Sequence, residues 1–269
     1  MTTLLTMKWF NKKIDYLCFT ANTDGSTVRL NYAWNPTIVN LEISTDWITR
    51  TDYTINNRLW TIITLSSIWD KVYFRNKSET VTWFSTSAWS DYYQFDMSGS
   101  ISASWDINTL LCKNSTDTLS NYCFVNLFYG CASLTTAPEL PATILAEGCY
   151  ANMFNNCTAL TTVPELPATM LAASCYTGMF TSCTALTSLP KLPAITLVDS
   201  CYREMFSMCY QIKLSTTQTW AYQTPYRIPI IWTWTTAGYA LYSMFSSTWW
   251  TFTWTPTINT TYYTSNTVV

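Results

Sequence analysis

Ten cysteines, sixteen carboxylates and no histidine define the chemistry open to this 269-residue chain. Eight of the cysteines fall in two columns, Cys123, Cys149, Cys175 and Cys201, and Cys131, Cys157, Cys183 and Cys209. A thiol nucleophile needs a base to make its thiolate, and histidine is the commonest one. Its absence excludes a Ser-His-Asp triad, a Cys-His pair and any His-containing zinc site. The eight-residue step between the columns is also wider than the Cys spacings of zinc modules. Glu139 and Glu165 stand in register as a carboxylate pair, but Lys191 takes the third place in their column and nothing nearby supports acid–base work. The thiols are expected to pack as small hydrophobes in buried ladders. The main rival is a set of disulfides within each column. Side chains stacked at the strand spacing of about 4.8 Å keep their Cβ atoms wider than the ~3.8 Å a disulfide prefers.

What must position these residues is a repeat. Four consecutive 26-residue segments begin at Cys123, Cys149, Cys175 and Cys201. The third reads Cys175-Tyr176, Met179-Phe180, Cys183, Ala185-Leu186-Thr187, Pro190, Leu192-Pro193-Ala194, Leu197, and the second matches it almost throughout. A fixed period of this length implies stacked units, each too small to bury its apolar face alone. Within a unit, Cys-Tyr-x-x-Met-Phe-x-x-Cys places apolar residues at i, i+1, i+4, i+5 and i+8, which predicts a short amphipathic helix. The prolines that follow predict a short extended segment, with Leu134, Leu140 and Leu145 and their equivalents pointing inward. Around this frame the polar positions vary: Thr135, Thr136 and Glu139; Thr161, Thr162 and Glu165; Thr187, Ser188 and Lys191. On a solenoid they would form rows on one surface, the usual place for recognition, or else an ordinary solvated face.

The template, with Met-Phe-x-x-Cys-x-x-Leu leading into Pro-x-Leu-Pro-Ala, resembles the BspA-like leucine-rich repeats of bacterial surface proteins, over about residues 123–215. Close relatives of this subtype occur in gut bacteria and their phages. The resemblance implies a right-handed α/β solenoid with a role in adhesion or recognition and no enzyme activity.

Before the repeats, residues 14 to about 106 show period-2 alternation, as in Val28, Leu30 and Tyr32 or Tyr93, Phe95 and Met97. Short alternating runs between turn residues predict a β-sandwich-like domain. Asp24-Gly25 marks a hairpin between 14–20 and 26–32. The expected organisation is a β-sandwich-like domain at 1–107, a linker at 108–122, a solenoid at 123–226, and a divergent repeat with a cap at 227–269. The fold class is thus an α/β leucine-rich-repeat solenoid preceded by an all-β domain.

Composition narrows the function. Charged residues make up 11%, against about 25% in typical domains, and Thr, Ser, Asn and Tyr take their place, as on extracellular or virion surfaces. A net charge of −2 supplies no basic field for nucleic acid. The first residues hold Lys8, Lys12, Lys13 and Asp15 without an apolar run, so no secretory signal or membrane insertion is expected. The expected protein has no cofactor and no metal. It is a phage virion-associated or surface-exposed recognition protein that binds a cell-surface glycan or protein. The alternative is a structural decoration or assembly protein contacting other virion proteins, and either role is compatible with a homo-oligomer.

Tryptophan is anomalous. Glycine numbers 6 and tryptophan 14, and 6 + 14 = 20 restores the usual glycine share of about 7%. Trp69-Asp70, Ser104-Trp105-Asp106, Trp34-Asn35-Pro36 and Thr248-Trp249-Trp250-Thr251 are turn-like contexts, whereas the regular repeats at 123–219 hold three glycines and no tryptophan. Two readings are open: a Trp-rich binding surface, or UGA codons that the source reads as glycine. The second predicts exposed turn positions with positive φ.

Overall fold

The computed structural model describes residues 16–32, 39–53, 61–77, 84–87, 91–111, 119–228, 237–248, 255–258 and 260–269. Trp34, Trp249 and Trp250 lie outside them. Strands β1 (Leu17–Ala21), β2 (Ser26–Tyr32), β3 (Leu41–Ser44), β4 (Thr51–Tyr53), β5 (Ile63–Leu65), β6 (Lys71–Asn76), β7 (Tyr93–Ser98) and β8 (Ile101–Ser104) come first. They form a sheet of order β4-β3-β6-β1-β8, which β9 (Leu134–Thr136) extends, and a second sheet of order β5-β2-β7. Phe19 and Phe74 from the first sheet meet Phe95 from the second, with ring centroids 4.8 and 5.4 Å away. The Asp24-Gly25 hairpin is corrected. β1 pairs with β6 and β8 while β2 pairs with β5 and β7, so this turn carries the chain from one sheet to the other.

The α/β leucine-rich-repeat solenoid expected from the repeats is not what the chain forms. Among the described residues there is no α-helix, and the one helical element is a 3-10 turn, Ile107–Leu110. The structure is instead nearly all β and turn, in small sheets. Each Cys-to-Cys segment is a run of turns. Left-handed residues recur every fourth position: Tyr122, Asn126, Gly130; Gly148, Asn152, Asn156; Ser174, Gly178, Ser182; Ser200, Glu204, Met208. Gly, Asn and Ser fill most of these places. Gly and Asn tolerate positive φ, and all three are poor helix formers.

Backbone hydrogen bonds explain the alternative. Along 123–131, alternate N–H groups close turns onto the carbonyl three residues back: Cys123 to Ser120, Val125 to Tyr122, Leu127 to Phe124 and Tyr129 to Asn126. The N–H groups between them donate to the next segment, Phe124 to Cys149 (2.9 Å), Asn126 to Ala151 (3.1 Å), Phe128 to Met153 (2.9 Å) and Gly130 to Asn155 (2.8 Å). No amide is left for a helical ladder. The 26-residue register survives as turn segments stacked on one another.

Residues 237–248 add a further layer, with Tyr202 donating to Ala240 and Phe206 to Met244. β11 (Leu214–Ser215), β12 (Thr224–Arg227) and β13 (Thr261–Thr264) form a small sheet, and β14 (Thr267–Val268) pairs in parallel with β10 (Ser188–Leu189).

Stacking produces aromatic columns through the interior. Phe95, Phe128, Phe154, Phe180, Phe206 and Phe245 follow one another at 5.3–5.6 Å, and Phe124, Tyr150, Tyr176 and Tyr202 at 5.7–6.0 Å. Leu134, Leu160 and Leu186 are fully buried beside them. One continuous apolar core runs from Leu17 to Tyr262. β7 serves as the first rung, because Phe95 stacks on Phe128 and its N–H donates to Leu127.

Candidate functional site

The polar rows lie just beyond the second cysteine column, where each segment leaves its turns and runs extended past prolines. At the first coil, Thr135 and Thr136 are half-buried against the β-domain. The Thr135 hydroxyl donates to the Ile101 carbonyl (3.0 Å) and accepts from Asn22 Nδ2 (3.1 Å), while Thr136 donates to Ala103 (3.2 Å). Those hydroxyls join the repeats to the first sheet. Thr161, Thr162 and Thr187 are exposed. Thr187 donates its hydroxyl to the Thr161 carbonyl (3.1 Å), and Thr161 sits likewise on Thr135 (3.5 Å). The Thr column is therefore stitched coil to coil, with oxygen lone pairs left facing solvent. Ser188 is withdrawn. It is buried, accepts from the Val163 N–H (2.8 Å) and pairs across β10 with Thr267. Lys191 is exposed at the same edge, its N–H donating to the Val269 carbonyl (2.8 Å).

The carboxylates are placed differently. Ala137, Pro138, Glu139, Leu140 and Pro141 of one coil and Pro164, Glu165 and Pro167 of the next line an open groove of about 420 Å³. Pro138 and Pro164 precede the two glutamates at equivalent positions, and proline fixes its own φ and donates no hydrogen bond. The Glu139 backbone is held on both sides: its N–H donates to Trp105 (2.9 Å) and its carbonyl accepts from Ile107 (3.1 Å). Both side chains are exposed, with no ion-pair partner among the described residues. The arrangement offers two anionic acceptors one repeat apart over a proline-rich apolar floor. It suits hydroxyl or ammonium donors on a ligand lying along the stack.

The thiols face inward. All nine described cysteines are free and buried; Cys112 lies outside the described residues. In the second column each Sγ donates to the phenylalanine carbonyl one layer earlier: Cys131 to Phe95, Cys157 to Phe128, Cys183 to Phe154 and Cys209 to Phe180, at 3.0–3.1 Å. The Phe128, Phe154 and Phe180 carbonyls already accept the amides of Cys131, Cys157 and Cys183 in their own turns, so there the thiol takes the second lone pair. Burial pushes the Cys123 and Cys183 thiols up to about 12 and Cys201 to about 11. Thiolate chemistry at neutral pH has no foothold there.

Among the described residues, no group of three or more His, Cys, Asp or Glu side chains is placed to hold a metal ion. No helix among the described residues is long and apolar enough to cross a membrane. The paired prolines flanking the glutamates were visible in the repeat. The covering of Ser188 by β14 was not, because it depends on a pairing 79 residues apart, Ser188 with Thr267. Compared with protein-family models, with curated proteins and with solved structures, the chain matches none.

Proposed function

We propose that the protein is a non-enzymatic recognition protein, displayed on a phage virion or a cell surface, that binds a cell-surface glycan or protein along its stacked repeats. The observation that carries this reading is the groove in which Glu139 and Glu165, one repeat apart, face solvent between pairs of prolines. A core of stacked rings and main-chain hydrogen bonds positions the segments that carry the two glutamates, so a ligand orders side chains and not backbone on the protein side. The exposed hydroxyls of Thr161, Thr162 and Thr187 extend the polar surface from coil to coil. The likeness of the sequence template to BspA-like surface repeats supports the same class of role, although the fold expected with it is not formed. The described thiols are buried and the chain has no histidine, so neither a Cys-His pair nor a Ser-His-Asp triad is available to it.

Binding of labelled protein to arrays of glycans and of cell-surface proteins tests the proposal. A specific signal that falls at least about tenfold in the Glu139→Gln/Glu165→Gln variant supports it, since a charge-assisted hydrogen bond contributes about 1.5–3 kcal/mol. Full binding by that variant would refute the groove. Silence on both arrays, with firm association to purified virions, would replace the reading with a structural virion role.

A further inference from the structure

We infer that Trp47, Trp69 and Trp105 occupy positions the fold reserves for glycine, and that the chain made in its native cell carries glycine there, its UGA codons being read as glycine. The inference is independent of what the protein binds. Outside the stacked turns, five described residues have positive φ: Gly25, Gly99, Trp47, Trp69 and Trp105. Every one is either glycine or tryptophan. The angles coincide as well, with φ of 70° at Gly25 against 69°, 73° and 69° at the three tryptophans. A bulky L-residue in this region is a genuine outlier, because its Cβ crowds the backbone carbonyl.

The local turns make the same demand. Asp46-Trp47 repeats Asp24-Gly25, an aspartate before a left-handed residue. Asp46 Oδ1 accepts from the N–H groups of Ile48 (2.8 Å) and Thr49 (2.6 Å), closing the β3–β4 hairpin around position 47. Trp69 lies in the Ser67–Asp70 turn before β6, where the Asp70 N–H donates to Ser67 and the Trp69 N–H to the Ala21 carbonyl (2.8 Å). Trp105 follows β8 and precedes Asp106, which caps the 3-10 turn. In each case hydrogen bonds of the residue's own main chain or of its neighbours hold the turn, and none of them uses the indole.

The rival reading is an aromatic ligand platform, since Trp47, Trp105, Tyr73 and Tyr16 form a ring cluster with centroids 4.8–6.1 Å apart. A platform needs exposed rings, but it does not need a left-handed backbone. Trp69 separates the two readings: it is 70% exposed, stands away from the cluster, and is as left-handed as the others. Trp220, 90% exposed at the tip of the tight Thr219–Tyr222 turn, is the one described tryptophan outside the left-handed region. Glycine suits a turn tip as well. A single codon reassignment accounts for the tryptophan excess and the matching glycine deficit together.

The gene and the native protein decide the matter. UGA codons at the three positions, with peptides from native protein whose masses carry glycine there, are expected. UGG codons, or masses carrying tryptophan, would overturn the inference. The fold's own demand is tested on recombinant full-length chains by comparing Trp47→Gly/Trp69→Gly/Trp105→Gly with the tryptophan form. Relief of three strained residues should raise the thermal midpoint by several degrees, and a tryptophan form that fails to fold beside a glycine form that does is the same result at its extreme. An equal or lower midpoint in the glycine form would overturn the claim that these positions are glycine's.

Discussion

Phe154→Ala probes the stacked interior at its middle rung. Phe154 is fully buried, with the rings of Phe128 and Phe180 at 5.3 and 5.6 Å, each within 3° of parallel. Truncating a buried phenylalanine costs about 3–5 kcal/mol. Two aromatic contacts on top of burial, each worth about 0.5–1.5 kcal/mol, place this site at the upper end. The expected loss is therefore about 4–5 kcal/mol, read as a fall in the urea midpoint followed by circular dichroism. Ile195→Ala, at a residue 60% exposed, should cost under about 0.5 kcal/mol. Milder Phe→Leu variants then measure coupling. Phe128 and Phe154 are adjacent rungs and should couple by about 0.5–1.5 kcal/mol, whereas Phe128 and Phe206, with two rings between them, should be additive within ~0.5 kcal/mol. A loss below about 1 kcal/mol for Phe154→Ala, or equal coupling for the two pairs, would refute the stacked-ring account.

Further outcomes follow from the same interior. Under native conditions near pH 8 the nine described thiols should be inert to a disulfide reagent, while all ten cysteines react after unfolding; fast multi-site labelling of the native protein would contradict the burial. Stability should fall at alkaline pH and not at neutral pH. The repeat thiols and Tyr93 (to about 12) have native pKa values raised by burial. Above pH 9–10 the native state therefore holds protons the unfolded state has released, and each such group lowers stability by about 1.4 kcal/mol per pH unit until its native pKa is reached. A flat urea midpoint from pH 8 to 11 would count against it. Asn266→Ala should destabilise by about 2–4 kcal/mol, because its side chain donates to Thr187 and Gln211 and accepts from Lys213 at 2.8–3.0 Å, clamping the C-terminal strand to the repeats. Unchanged unfolding with normal secondary structure would show the clamp to be idle.

Several of these features were legible in the sequence because they recur or because they follow composition. The inward places of Leu134 and Leu140, the burial of the thiols and the turn positions of Trp69 and Trp105 all follow from residue type and register. The alternation of Tyr93, Phe95 and Met97 is the buried face of β7. What escaped were pairings made at long range. Nothing near Asp24-Gly25 says that β1 and β2 join different sheets, since the choice is made by partners such as Phe74 and Phe95 far along the chain. The polar rows were visible as a pattern but not as a surface. Ser188 looked equivalent to Thr136 and Thr162 until β14 covered it, and the Thr135 hydroxyl is spent on the first sheet.

The helix that did not form carries the sharper lesson, because its apolar spacing fits two structures. At about 100° per residue, positions i, i+1, i+4, i+5 and i+8 share one helix face about 140° wide, so the apolar residues alone do not separate a helix from a four-residue turn unit. The residues between them do: i+3 and i+7 hold Asn152 and Asn156, which favour turns over helix. Those same places hold the left-handed residues of the turns. A four-residue turn unit explains both halves of the pattern: the buried pair Met153-Phe154 is followed two residues later by a residue that tolerates positive φ. It also explains why the segments need each other. Half of their amides point out of the turns and are satisfied only by the next layer. An isolated unit would therefore expose those amides as well as its apolar face, so neighbouring layers are a condition of each segment's structure.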